Sequence, residues 1–127
     1  MKKDAIEDLV AVAEARFEQK RKCLAEINSE ESEVLQALER LRLQEVKAAT
    51  ELLHADGLAS SSAGLLWQKW AGQMRRKLNE KLVRTRAKKE QTLLSARQVF
   101  GQSYAARQLR DDHRNQTEQR RKNRSFF

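Results

Sequence analysis

Apolar residues recur at alternating steps of four and three through the first half of the chain, from Asp4 to Ala55, where glycine and proline are absent. From Ile6 to Leu52 this seam covers 46 residues in 13 steps, close to the 3.5-residue period of a left-handed coiled coil. Its apolar members are Ile6, Val10, Ala13, Phe17, Leu24, Ile27, Val34, Leu38, Leu41, Ala48 and Leu52, and its only interruptions are Lys20, Glu31 and Glu45. A single helix cannot bury such a stripe against itself, so the pattern predicts a partner helix.

The second half of the chain supplies that partner after a short turn. We expect helix 1 at about 4–56, a turn at about 57–64 that is rich in serine and glycine, helix 2 at about 65–117 and a basic tail at 118–127. The predicted seam of helix 2 reads Trp67, Trp70, Met74, Leu78, Leu82, Thr85, Lys89, Leu93, Ala96 and Phe100. It covers 33 residues in nine steps. That period is nearer an eleven-residue repeat than a heptad, so we expect the supercoil to flatten beyond the turn.

Charge and register together favour a hairpin within one chain over a parallel homodimer. If the chain folds back at Ser60 and Ser61, the numbers of facing residues add up to about 121. This register places Glu31 near Lys89, Glu45 near Arg76 and Lys77, Phe17 near Tyr104, and Ile27 near Leu93. Two acids that interrupt the first seam therefore meet bases. The sequence predicts an all-α fold, an antiparallel two-helix coiled coil that forms one domain over residues 1–127.

The net charge of +8 is divided unequally between the two predicted helices. Residues 1–56 hold 9 Lys/Arg and 13 Asp/Glu, whereas residues 57–127 hold 17 and 5. The two halves are therefore complementary. The remaining positive charge is either a solvated helix face or a surface for an acidic partner or nucleic acid.

The chain offers little that resembles catalytic chemistry. Cys23 is the single cysteine, which fits a reducing, cytosolic setting, and His54 and His113 lie far apart in the hairpin. The sequence contains no phosphate-binding glycine loop, no nucleophile elbow and no metal-ligand spacing. We therefore expect a protein that is not an enzyme and that takes no cofactor, metal or small-molecule substrate. We also expect no membrane insertion, because no stretch of about 18 apolar residues occurs.

Two surfaces are candidates for binding. The first lies near the turn and consists of Leu43, Val46, Thr50, Leu53, Trp67 and Trp70. Scattered exposed aliphatics are common on helices, but tryptophan beside an apolar stripe is typical of protein interfaces. The second is the basic density of helix 2. Its charges wrap several faces and have no interleaved aromatic residues, which argues against nucleic-acid binding.

The stretch from Ser61 to Trp70, with Trp67 shortly after a turn of serine, glycine and alanine, resembles the FliJ/YscO family. These are small coiled-coil proteins of flagellar export and type III secretion. The resemblance covers nearly the whole chain through its pattern of an acidic helix, a turn and a basic second helix. The length is closer to that of the injectisome members.

The resemblance implies a central-stalk or escort subunit that binds a hexameric secretion ATPase, the cytoplasmic domain of the export gate and secretion chaperones. The protein would then be cytoplasmic and peripheral to the inner-membrane secretion apparatus. The resemblance adds Met74 to the residues near the turn, which we call the turn-side set. Its members that would face the gate or chaperones are Leu43, Val46, Thr50, Trp67, Trp70 and Met74. Val46 and Thr50 stand where tyrosines are expected. The residues expected to face the ATPase are Lys2, Lys3, Arg107, Arg110, Arg114, Arg120, Arg121, Lys122 and Arg124. Two alternatives stay open: a basic nucleic-acid-binding coiled coil, and a generic scaffold that dimerises through its seam.

Overall fold

The computed structural model describes residues 2–54 and 62–126, and all of them are helical. Helix α1 spans Lys2–His54 and helix α2 spans Ser62–Phe126. The predicted all-α class is confirmed. Most of the predicted turn lies outside the described residues, as do the side chains of residues 52–54, which include Leu53.

Helix α2 is longer than the sequence predicts at both ends. It begins at Ser62, inside the predicted turn, and it continues to Phe126 instead of ending near 117. The residues predicted as a basic tail are therefore its last turns. The chain has no glycine or proline after Gly101, and the arginine, lysine and glutamine of this stretch are strong helix formers. Arg124 also places positive charge in the last turn, where it interacts favourably with the helix dipole.

The chain divides into two units, each containing a stretch of both helices. The terminal unit comprises Met1–Ala25 with Glu90–Phe127, and the turn unit comprises Glu26–Lys89. In the turn unit, Glu31 pairs with Lys89 and Glu45 pairs with Arg75. In the terminal unit, Glu7 pairs with Arg114 and Glu14 pairs with Arg107. Within each unit, moving forward along α1 therefore means moving backward along α2, which is the predicted antiparallel arrangement.

The observed pairs agree with the predicted register to within about one helical turn. In each unit the numbers of the ion-paired residues add up to between 117 and 121. Two predicted contacts are wrong in detail. Glu45 meets Arg75, whereas Arg76 and Lys77 point to solvent, because neighbouring helix residues point about 100° apart.

The second difference concerns the aromatic contact of the terminal unit. Phe17 packs on Phe100, with ring centroids 5.4 Å apart and planes tilted by 51°. Tyr104, the predicted partner, is 57% exposed. Residues 100 and 104 lie on the same face of α2 one turn apart, so a shift of one turn in register exchanges one ring for the other.

The seam of α1 is confirmed over its described length. Every predicted position from Ile6 to Ala48 is buried or half-buried, including the three charged interruptions. Outside the seam, Cys23 and Ala37 are the other half-buried residues among the described side chains of α1. The alternation of four and three therefore identified the packed face of this helix.

The seam of α2 differs from the prediction at its aromatic positions. Trp70 and Phe100 are 46% and 49% exposed, whereas Ala71 is 2% exposed and Val99 is half-buried. Gly72, Leu93, Ser95 and Arg107 are half-buried beside the seam, and Leu93 is one of its predicted members. The seam positions that recur at steps of three and four are Trp67, Ala71, Met74, Leu78, Leu82, Thr85, Lys89, Thr92, Ala96, Val99, Ser103, Ala106, Arg110 and His113. They cover 46 residues in 13 steps, so the period is that of a heptad and the expected eleven-residue repeat is wrong.

Small residues form much of this inward face. In the terminal unit, Val10, Ala13 and Ala106 make a buried cluster, and Ser103 is fully buried. Small side chains allow two helices to approach closely, so alanine and serine occupy positions that a search for large apolar residues passes over.

Candidate protein-binding surfaces

Ion pairs lie on the packed face of the turn unit. Lys89 donates to one carboxylate oxygen of Glu31 at 3.3 Å, and Arg86 approaches the other at 3.4 Å. The side chain of Glu31 is only 18% exposed. A carboxylate in this position needs its cationic partners, because leaving it unpaired costs more than the pair itself contributes.

Ion pairs also tie down part of the predicted ATPase-facing set. Arg114 lies 3.6 Å from Glu7, and Arg107 lies 3.8 Å from Glu14 while donating to the Ser103 hydroxyl at 3.0 Å. Arg110, which is mostly buried, lies 3.4 Å from Asp111. These three arginines therefore serve contacts within the chain.

The rest of that set remains exposed at one end of the terminal unit. Its members are Lys2, Lys3, Arg120, Arg121, Lys122 and Arg124, all exposed and without an ion-pair partner within the part of the chain that the structure describes. Because Glu7 pairs with Arg114, the same register places Lys2 beside a residue close to 119. Arg120, Arg121, Lys122 and Arg124, which we call the basic helix end, thus lie beyond the described part of α1.

The turn-side set is divided between two environments. Trp67 and Met74 are half-buried on the inward face of α2. Leu43, Val46 and Trp70 are 53%, 52% and 46% exposed. The predicted set is therefore part core and part surface.

Two further features of the turn unit bear on the candidate interface. The Thr50 hydroxyl donates to the carbonyl of Val46 at 2.9 Å, so this exposed threonine is bonded to its own helix. Sequence reasoning missed Leu65 and Leu66, which are 57% and 68% exposed at the start of α2. Because Leu65 and Leu66 follow directly after the predicted turn, they were not included in the predicted set. Exposed apolar side chains of this kind are available to a partner.

One flank of the terminal unit carries an apolar groove between the helices. Its walls are Leu9, Val12 and Arg16 from α1 and Gln102, Ala105 and Leu109 from α2, and its floor is Ala13 and Ala106. The three large aliphatic residues are about half exposed. In the sequence, Leu9 and Val12 stand directly before the seam residues Val10 and Ala13. Positions beside the seam need not be apolar when only two helices pack together, so these two residues were the sequence signal for the groove.

The described residues offer few groups of the kind that bind metals or carry out catalysis. No group of three His, Cys, Asp or Glu residues that could hold a metal lies within residues 2–54 and 62–126. None of the described helices is both long enough and apolar enough to cross a membrane. Cys23 is a half-buried free thiol and His113 lies half-buried on the seam.

One exposed ion pair has a clear electrostatic effect. Arg42 holds the Glu39 carboxylate through two hydrogen bonds, at 2.7 and 3.1 Å. These bonds, assisted by the arginine charge, hold the pKa of Glu39 below its ordinary value of 4.5. The pair is three residues apart on one helix, so it supports α1 locally.

Comparison with known proteins adds no relative: no family model, no curated protein and no solved structure matches the chain. The fold and its surfaces define the class by themselves. The protein is an all-α chain of two antiparallel helices, with a basic helix end, an apolar groove and exposed apolar residues as its available surfaces.

Proposed function

We propose that this protein is the central-stalk or escort subunit of a type III secretion ATPase complex. The observation that carries the proposal is the basic helix end, where four exposed cationic side chains lie without partners among the described residues. Lys2 and Lys3 add two more cations to the same unit. An end of this kind suits an acidic pore in a hexameric ATPase.

The distribution of charge supports a binding role for this end. Arg107 and Arg114 form ion pairs with acids of α1, so part of their positive charge is neutralised within the chain. The four cations of the basic helix end form no ion pair among the described residues. They outnumber Glu118, the acid nearest to them on the same helix, so a net positive field extends into solvent. Such fields speed encounter with an oppositely charged partner and fade as ionic strength rises.

The turn unit would bind a second partner. Leu43, Val46 and Trp70 are exposed near the turn, and tryptophan is a frequent anchor in protein interfaces. We assign this surface to the export-gate cytoplasmic domain or to secretion chaperones. The protein would then be cytoplasmic and peripheral to the inner-membrane secretion apparatus, and it would act by binding and not by catalysis.

The two alternative functions use surfaces that are less well suited. A scaffold that dimerises through its seam would need side chains such as Val34 and Leu41, which are already buried between α1 and α2. A nucleic-acid-binding protein would use the exposed cations of α2 such as Lys77, Lys81 and Arg84. No aromatic residue stands between these three in the sequence to stack on bases.

The proposal is tested by the ATP hydrolysis rate of a type III secretion ATPase with and without the full chain, at low and moderate salt. We expect stimulation that weakens as salt rises. Absence of stimulation with several such ATPases would refute the proposal. Salt-dependent binding to a random oligonucleotide, with no effect on hydrolysis, would instead favour the nucleic-acid alternative.

A further inference from the structure

The two flanks of the helix pair in the terminal unit are built differently. On one flank, two ion pairs join the helices: Glu7 pairs with Arg114, and Glu14 pairs with Arg107. The other flank is the groove, where Leu9 and Leu109 are 50% and 49% exposed. Apolar side chains placed beside a seam are typical of helices that pack against more than one neighbour. The groove flank therefore presents an apolar surface against which a further helix can pack.

The floor of the groove gives such a helix room to approach. Ala13 and Ala106 are the inward residues here, and both are buried. Their short side chains leave a depression between the taller side chains of Leu9, Val12 and Leu109. From Leu9 to Arg16 the groove extends about 10 Å along α1, which matches about two turns of a docked helix.

Charge decides which kind of helix fits. Arg16 is the only charged residue lining the groove, and it is exposed without an ion-pair partner among the described residues. The terminal unit as a whole holds 14 Lys/Arg and 9 Asp/Glu. Six of these cations are Lys2, Lys3 and the basic helix end, which do not line the groove, so Arg16 is the charge that acts there. A second copy would bring Arg16 against Arg16, whereas a carboxylate of an acidic helix would be attracted to it.

We propose that this groove binds an acidic amphipathic helix of another protein. Aliphatic side chains spaced three or four residues apart would pack between Leu9, Val12 and Leu109, and a carboxylate of the bound helix would pair with Arg16. This is the helix-in-groove mode of recognition, in which a few apolar anchors supply affinity and flanking charges supply orientation. The proposal does not depend on an ATPase partner.

The test uses the full chain and a fluorescein-labelled synthetic helical peptide, with leucines along one face and glutamates on both sides. We expect a Kd on the order of 100 µM for a site of this size. Leu9→Gln with Leu109→Gln should weaken binding about tenfold, because the anchors lose their apolar contacts. Leu94→Gln is the matched control, since Leu94 is exposed on α2 of the same unit but outside the groove, and it should bind as the wild type does.

A second arm tests the charge. Arg16→Glu should weaken binding of the glutamate peptide and strengthen binding of a peptide in which lysines replace the glutamates. Circular dichroism of each variant establishes that the helices are intact. The proposal is overturned by absence of binding up to about 1 mM, by equal binding to the wild type and the double variant, or by equal binding of the two peptides. Sedimentation that shows a wild-type dimer, dispersed by the double variant, would assign the groove to a second copy and also overturn it.

Discussion

Glu31 and Lys89 face each other from the two seams of the turn unit, with the Lys89 ammonium nitrogen 3.3 Å from a carboxylate oxygen of Glu31. Their side chains are only 18% and 32% exposed. A charged pair in the seam adds little to stability, but it specifies register. A slip of one turn would leave Lys89 facing apolar Ile27 or Val34, and Glu31 would face an uncharged threonine in place of its lysine.

Reversal of one member of this pair is expected to destabilise the fold. In Lys89→Glu, two carboxylates would meet on a half-buried face, and we expect the free energy of unfolding to fall by roughly 1–3 kcal/mol. The double exchange Glu31→Lys with Lys89→Glu should restore most of the loss. Urea denaturation followed by circular dichroism measures both. A matched reversal at exposed Lys81 should change stability by less than about 0.5 kcal/mol, and equal losses at both lysines would contradict the assigned role of Glu31.

The small residues of the α2 seam should not tolerate enlargement. Ala106 is 5% exposed and belongs to the cluster with Val10 and Ala13. Ala106→Leu should therefore cost about 1–3 kcal/mol through overpacking. Ala105→Leu, one residue away and exposed, should stay within about 0.5 kcal/mol of the wild type. Thermal unfolding distinguishes the two, and a reversed order of stability would mean that the packed face is misassigned.

Acid should selectively remove the contribution of the pair between Glu39 and Arg42. The hydrogen bonds from Arg42 lower the folded-state pKa of Glu39 below its ordinary value of 4.5. The carboxylate therefore stabilises the folded state above that ordinary value, and its contribution disappears as pH falls through the lowered folded-state pKa. Glu39→Gln should be less stable than the wild type at neutral pH and equally stable in strong acid. An NMR titration that finds Glu39 protonating at or above its ordinary pKa would contradict this assignment.

The basic helix end should be dispensable for folding. Register places residues 120–126 beyond the described part of α1, and the Ser125 hydroxyl donates to the Lys122 carbonyl of the same helix. A chain ending at residue 118 should therefore unfold at the same urea concentration as the full chain, while its helical signal falls in proportion to the residues removed. Amide hydrogens of this segment should exchange faster than those near Ala106. A large drop in the unfolding midpoint would show that the segment packs against the fold.

The α1 seam shows what could be predicted from sequence. Its large apolar residues carry a strong alternation, so periodicity alone identified the packed face. On α2 the same method placed Trp70 and Phe100 on the seam, whereas Ala71 is buried and Val99 is half-buried. Phe100 packs on Phe17 from the edge of the seam and stays about half exposed. Close packing of two helices favours small residues at some positions, and hydrophobic size is then a poor guide to burial.

The candidate surfaces were predictable to different degrees. Charge and hydrophobic pattern predicted a register in which the numbers of facing residues add up to about 121. That register already places Arg107 beside Glu14 and Arg114 beside Glu7, as the structure has them. The groove at Leu9 and Leu109 depends on residues far apart in sequence. To predict the groove, both the register and the rotation of each helix about its axis must be known, and a short stretch of sequence does not define the two together.

The central claim is that the basic helix end, and not positive charge in general, binds the ATPase. Two quadruple variants with equal loss of charge test it in the ATP hydrolysis assay. One replaces Arg120, Arg121, Lys122 and Arg124 with glutamine, and the other replaces Arg76, Lys77, Lys81 and Arg84, all of which are exposed on α2. We expect the first variant to lose stimulation of ATP hydrolysis and the second to retain it. Equal stimulation by the two variants, or loss in the second alone, would contradict the claim.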